Sequence, residues 1–283
     1  MPAYELIPEW DGSIIFASRG CIRKCPYCAV PIIEGEICNL KYSIKNLIYP
    51  GHTNIIFWDN NILSAPNWRP IFDELIDLQK KVDFNQGLDA RLITDEVSKK
   101  LAKIKIPIIR IAYDQRNIGK FVFRAIERMA AAGINKRKIL CYVMYNFNDD
   151  PEDFLERVRD LLNWGVVAYP MRYQPILELP YALEKNSYIA PKWNKKQLEI
   201  VARLRRVVGC VGTFPPYRAL VERVNQVKSL EELLYPEKKV RVGSKNDILL
   251  ATPRIIAKQR PRWNGDPDWL RNLKSRKSPN GSH

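Results

Sequence analysis

Six short apolar runs recur along the chain, and their spacing restricts the fold more than any other feature. Ser13-Ile14-Ile15-Phe16, Asn54-Ile55-Ile56-Phe57, Val82-Asp83-Phe84, Ile106-Pro107-Ile108-Ile109, Lys138-Ile139-Leu140-Cys141 and Val166-Val167-Ala168 read as buried strands. Their starts lie 41, 28, 24, 32 and 28 residues apart, close to the length of one strand-helix unit. Between them, residues 67–81 place Ile71, Phe72, Leu75, Ile76 and Leu78 largely on one helical face. Thr94 is positioned to cap a second helix, with Asp95 and Glu96 in its first turn. Asp150-Pro151 opens a third and Gly165 closes it. Six such units imply parallel strands with right-handed crossovers, hence an α/β fold built as a barrel or partial barrel. An open doubly wound sheet is the structural alternative.

After about residue 180 the strands stop, and Lys195 to Val208 and Tyr217 to Val227 read as helices. The expected organisation is a core at 1–180, a mostly helical extension at 181–237 and a basic tail at 238–283. Charge marks the last boundary. The chain carries 46 Lys+Arg against 31 Asp+Glu, a formal net charge of +15. Residues 238–283 hold twelve Lys+Arg and three Asp, or +9, which leaves +6 (15 − 9) for the rest. The tail also contains Trp263 and Trp269. Basic residues interleaved with aromatics can follow a phosphate backbone and stack bases; a solvated tail pinned by its tryptophans is the alternative. No apolar run approaches the ~18 residues of a membrane span. The N-terminus lacks the basic-then-apolar pattern of a secretory signal, and six cysteines are too sparse for a disulfide scaffold. A cytoplasmic protein with no membrane association is expected.

The chemistry is concentrated after the first strand, in Ser18-Arg19-Gly20-Cys21-Ile22-Arg23-Lys24-Cys25-Pro26-Tyr27-Cys28. Three thiolates spaced C-x3-C-x2-C on one loop can hold three irons of a 4Fe–4S cube and leave the fourth iron open. Gly20 gives the backbone room, and Arg19, Arg23 and Lys24 offset the negative charge. A zinc site with Cys38 as fourth ligand, or three packing cysteines, are the other readings. The loop sits at the C-terminal end of a strand, where α/β barrels place their active sites.

Cys21-x3-Cys25-x-Tyr27-Cys28 in this position resembles the signature of the radical SAM superfamily, and the resemblance extends over roughly residues 11 to 180. It implies a partial (β/α)6 barrel in which S-adenosylmethionine binds the open iron of a 4Fe–4S cluster through its amino and carboxylate groups. A reductant such as flavodoxin or ferredoxin would supply the electron that splits the sulfonium. The resulting 5′-deoxyadenosyl radical takes a hydrogen atom from substrate. On the same resemblance, Tyr27 occupies the position near the adenine. The usual glycine-rich second-strand motif is replaced by Phe57-Trp58-Asp59-Asn60-Asn61, similar to the cobalamin-dependent branch, so Asp59 or Asn60 is the candidate for the amino group. In Asn85-Gln86-Gly87-Leu88-Asp89-Ala90-Arg91, Arg91 is the candidate partner of the carboxylate and Gln86 or Asp89 of the ribose. Asp114 is a further ribose candidate, and Tyr145-Asn146 and Arg172-Tyr173-Gln174 add polar groups at later strand ends. Each of these also reads as ordinary loop capping.

Val30-Pro31-Ile32-Ile33-Glu34-Gly35-Glu36 resembles the V-P-x3-G-E stretch of methylthiotransferases. Only about a dozen residues precede the first strand, too few for their extra cluster domain or for a cobalamin domain. A minimal core with its own extension is therefore expected. Cys141 reads as core, Cys38 as structural and Cys210 as a loop residue. The basic balance favours a polyanionic substrate such as tRNA. An anionic small molecule or peptide is the second reading, and a zinc-stapled nucleic-acid-binding module without catalysis the third.

Overall fold

The protein is described by a computed structural model covering residues 2–39, 41–176, 178–181, 183–208 and 218–233. The 238–283 tail and Cys210 lie outside the described residues. Strands β1 (Ser13–Ile15) and β2 (Ser18–Arg19) lead into the cysteine loop, followed by a single helical turn α1 (Val30–Ile33) and strand β3 (Cys38–Asn39). The series then alternates: β4 (Asn54–Phe57), α2 (Trp68–Leu78), β5 (Lys81–Phe84), α3 (Asp95–Lys103), β6 (Ile109–Ala112), α4 (Gly119–Ala131), β7 (Ile139–Tyr145), α5 (Pro151–Asn163) and β8 (Val167–Arg172). Helices α6 (Lys195–Val208) and α7 (Arg218–Gln226) complete it.

The long-spaced strands pair in parallel and in chain order, β1-β4-β5 and β6-β7-β8. The two sheets meet where Leu88 N–H donates to Arg110 O at 2.8 Å and Asp83 pairs with Arg110. No strand order reverses, so the doubly wound alternative, which needs a switch point, gives way to the partial-barrel arrangement. One face of each strand is buried against helices. Phe57 and Phe84 lie 5.2 Å apart and Phe72 of α2 is 5.3 Å from Phe84. The alternate residues Ile14, Ile56, Asp83 and Arg110 are half-buried on the other face, as the period of two requires.

The helix starts follow the sequence. Thr94 Oγ1 accepts from Val97 N–H at 3.2 Å, and Asp150 accepts from Asp153 N–H at 2.8 Å with Pro151 at the first position. Helix α4 was not among the expected helices, although Val122, Ala125, Ile126 and Met129 form its buried stripe. The strand expected at 106–109 forms at Ile109–Ala112 instead. Pro107 has no N–H to enter a ladder, so the chain before it makes only an isolated Lys81–Lys105 bridge. The last two strands end at Tyr145 and Arg172, where the sequence places their ends. No helix among the described residues is long and apolar enough to cross a membrane.

Candidate metal centre

The cysteine loop is closed at its base by β2 and β3, a two-residue antiparallel ladder pairing Ser18 with Asn39 and Arg19 with Cys38. Gly20 follows with φ +78°, and a Cβ built there would stand 2.2 Å from Glu36 O. Only glycine fits that conformation and that approach together. Glu34 ties the clasp from the other side, accepting Gly20 N–H at 2.8 Å and Asn60 Nδ2 at 2.6 Å and pairing with Arg19 at 2.5 Å. Asp59 accepts from Ala17 N–H at 3.1 Å and from Ser18 N–H and Oγ at 2.5 and 2.6 Å. Burial raises its carboxyl, and the Ser18 and Ala17 bonds work against that rise. Asp59 and Asn60, the two candidates for the amino group, thus hold the loop in place.

Cys21, Cys25 and Cys28 are all free and half-buried. Each sulfur faces a donor. Cys21 Sγ takes Arg23 N–H at 3.3 Å and Asn61 Nδ2 at 3.4 Å. The Tyr27 hydroxyl reaches Cys25, and the Val30 N–H reaches Cys28. Burial raises the Cys28 thiol, the charges of Cys25 and Cys21 raise it further, and the Val30 N–H offsets part of this. Sulfurs that face N–H and O–H donors suit thiolates whose charge a metal neutralises. Among the described residues, no three His, Cys, Asp or Glu converge closely enough to hold one metal ion. Cys38 is exposed on β3, opposite Arg19.

Asp89 organises the wall beside the loop. It pairs with Arg23 at 2.9 Å and with Arg91 at 2.7 Å, and accepts Arg91 N–H at 3.1 Å. Burial alone would raise Asp89; its bonds and charge pairing with Arg91 and Arg23 outweigh it and hold the carboxyl below its ordinary range. Arg91 also lies within the field of Cys25 and Tyr27, which brings a cation to the edge of the cysteine loop. Gln86 is exposed and donates to its neighbour Asn85 at 3.5 Å. Across the mouth, Tyr27 donates to Asp114 Oδ2 at 3.1 Å, and Asp114 also accepts Met144 N–H at 3.2 Å. Burial raises Asp114 despite those bonds, and burial with the Asp114 and Cys25 charges raises the Tyr27 hydroxyl. The Tyr27 ring lies edge-on to Phe147 at 5.6 Å.

The structure therefore brings Tyr27, Asp89, Arg91 and Asp114 around the three cysteines and leaves Gln86 at the rim. Asn146, Arg172 and Gln174 act as staples of the 173–190 segment. Asn146 Nδ2 donates to the carbonyls of Tyr173 and Tyr188, Arg172 donates to the carbonyls of Asn186 and Tyr188, and Gln174 bonds the Tyr181 carbonyl. Two residues to which the sequence assigned no role, Glu34 and Asn61, carry much of the site, and Arg23, expected to offset charge, does so by pairing with Asp89. Asn61 is 4% exposed, donates to both Cys21 Sγ and Asp89 Oδ2 at 3.4 Å, and has a buried Oδ1 with no partner among the described residues. An unpaired buried acceptor costs on the order of 1–3 kcal/mol, which a ligand donor would relieve.

No protein-family model and no curated protein matches the chain. Among solved structures, it is similar to the radical S-adenosylmethionine methyltransferase TsrM from Kitasatospora setae, with cobalamin and a [4Fe-4S] cluster bound. The identity is 11%, the TM-score 0.48, and the match covers 57% of this chain and 37% of that one. It is also similar to coproporphyrinogen III oxidase (HemN) from Escherichia coli, a radical SAM enzyme, at 12% identity and a TM-score of 0.43. That match covers 68% of this chain and 51% of the other. The chain thus matches about half or less of each.

Proposed function

We propose that the protein is a radical SAM enzyme whose 4Fe–4S cluster is held by Cys21, Cys25 and Cys28. The observation that carries this reading is the set of three half-buried thiols at the C-terminal mouth of parallel strands, each facing an N–H or O–H donor. When bound, the cluster and S-adenosylmethionine supply a 5′-deoxyadenosyl radical that abstracts hydrogen from substrate. This chain's residues hold and orient. Gly20, Glu34, Asn60 and Asp59 fix the base of the loop. Arg91, already paired with Asp89, presents a cation to a ligand carboxylate, and the free Asn61 Oδ1 offers an acceptor to a ligand amino group. Asp114 and Tyr27 close the opposite side of the mouth, where a ribose would lie.

The electron would come from a small reductant such as flavodoxin or ferredoxin, and a reducing, cytoplasmic setting suits a chain whose six cysteines are so sparse. For the substrate, a net charge of +15 supports a polyanion, and tRNA is the first to try. The test is anaerobic. The protein is reconstituted, its iron and sulfide are counted, it is reduced with dithionite in the presence of S-adenosylmethionine, and 5′-deoxyadenosine is measured. Four irons per chain and steady product are expected, and Cys25→Ala should lose both. Zinc without iron, or a Cys25→Ala protein with a complete cluster spectrum, would sink the assignment.

A further inference from the structure

We propose that Asn61 sets the reduction potential of the metal centre through its bond to Cys21, an inference that rests on the cluster reading above. Charge fixes the orientation of its carboxamide. Asp89, held ionised between Arg23 and Arg91, can only accept, so the NH2 end of Asn61 turns toward it. The second N–H of that group reaches Cys21 Sγ at 3.4 Å. The amide is 4% exposed, and its Oδ1 has no partner among the described residues. A buried amide retained for packing pairs both ends; this one pairs the end that faces sulfur and carboxylate.

An N–H aimed at a metal-bound thiolate draws charge from the sulfur. It therefore favours the cluster state carrying one more electron and raises the potential. Cys21 receives a second donor from Arg23 N–H at 3.3 Å, and partial burial strengthens both bonds. Asn60, one residue earlier, faces Glu34 instead, so within the Asp59-Asn60-Asn61 run the sulfur contact belongs to Asn61.

The test compares wild type, Asn61→Leu and Asn85→Leu, the last an exposed asparagine at the neighbouring strand end. Each protein is reconstituted with iron and sulfide and titrated with dithionite and redox mediators, following the EPR signal of the reduced cluster. The step is the one-electron reduction of [4Fe–4S]2+ to [4Fe–4S]+, with dithionite as electron donor. Asn61→Leu should shift to a more negative midpoint. At the wild-type midpoint its reduced-to-oxidised ratio should fall about tenfold, equivalent to ~59 mV for a one-electron couple. Asn85→Leu should stay with wild type. An unshifted midpoint in iron-replete Asn61→Leu overturns the proposal. If leucine prevents cluster retention, Asn61→Ala decides in the same way: a more negative midpoint supports the role and an unchanged one overturns it. Loss of the cluster from both folded variants also overturns it, because Asn61 would then serve assembly rather than potential. A wild-type protein that takes up no iron defeats the cluster reading itself, and does so before any variant is compared.

Discussion

At the scale of single residues, Asp89 shows how the wall of the site is held and how pH should disturb it. Its carboxylate is 7% exposed and lies between Arg23 and Arg91, which are 31% and 29% exposed. Because its carboxyl is held below the ordinary range, its pairing contributes stability above the unfolded value near pH 4 and loses it as pH falls through the folded value. Asp89→Asn should cost about 1–2 kcal/mol at pH 7, below the ~3–5 of a fully buried broken pair, because both guanidiniums remain partly solvated. Urea unfolding of the apo protein at pH 7 and at successively lower pH checks this. The gap to wild type should narrow with acidification, and a pH-independent gap would contradict the account. The cysteine triplet and Gly20 stand out in the sequence by spacing and residue type alone, whereas Arg91 came from the family resemblance and is found paired with Asp89. The run Asp59-Asn60-Asn61 was not legible. All three are short and polar, and only the fold decides that Asp59 faces backbone N–H groups, Asn60 faces Glu34 and Asn61 faces sulfur.

Among the elements, helix α5 does more than cover the sheet. Its Arg157 is fully buried and donates to the carbonyls of Tyr113 and Met144 at 3.1 and 2.8 Å, while pairing with Asp149 at 2.7 Å. It therefore fixes the ends of β6 and β7, between which Asp114 bonds Met144 N–H and Tyr27. Replacing Arg157 with Met would leave the Asp149 carboxylate and two carbonyls without this partner, a loss of about 3–5 kcal/mol. Removing only the cap of the same helix, by Asp150→Ala, should cost about 1 kcal/mol. Urea midpoints of the two variants test the ranking, and an Arg157→Met protein no weaker than Asp150→Ala would refute the role given to the guanidinium. The helix caps were readable because Thr94, Asp150 and Pro151 act locally. The displacement of β6 beyond Pro107 was half readable: proline signals a missing donor, but not on which side of it the strand resumes pairing. The clasp of β2 with β3 was not readable, since two-residue strands show no periodicity.

For the whole molecule, the spacing of apolar runs anticipated the parallel, chain-ordered sheets because each strand-helix unit must bury one face, and that requirement repeats along the sequence. Charge follows no such rule, so the +9 of residues 238–283 admits two readings with opposite consequences. If the tail binds a nucleic acid, each phosphate it neutralises releases a counterion, and the affinity for tRNA should fall steeply with salt. Deleting residues 238–283 should then weaken tRNA binding at low salt. It should also flatten the plot of log K against log salt by about 0.7–0.9 for each phosphate the tail had neutralised, depending on whether the bound strand is single or paired. If the tail is instead solvated, or pinned by Trp263 and Trp269, the shortened and full-length proteins should share one slope. Iron content separates this effect from damage to the core, because the cysteine loop and the supports described for it all lie before residue 238. A shortened protein that keeps its iron and loses salt-sensitive binding assigns recognition of the polyanion to the tail. One that keeps both returns the search to the remaining +6 and to the mouth around Arg19, Arg23 and Arg91.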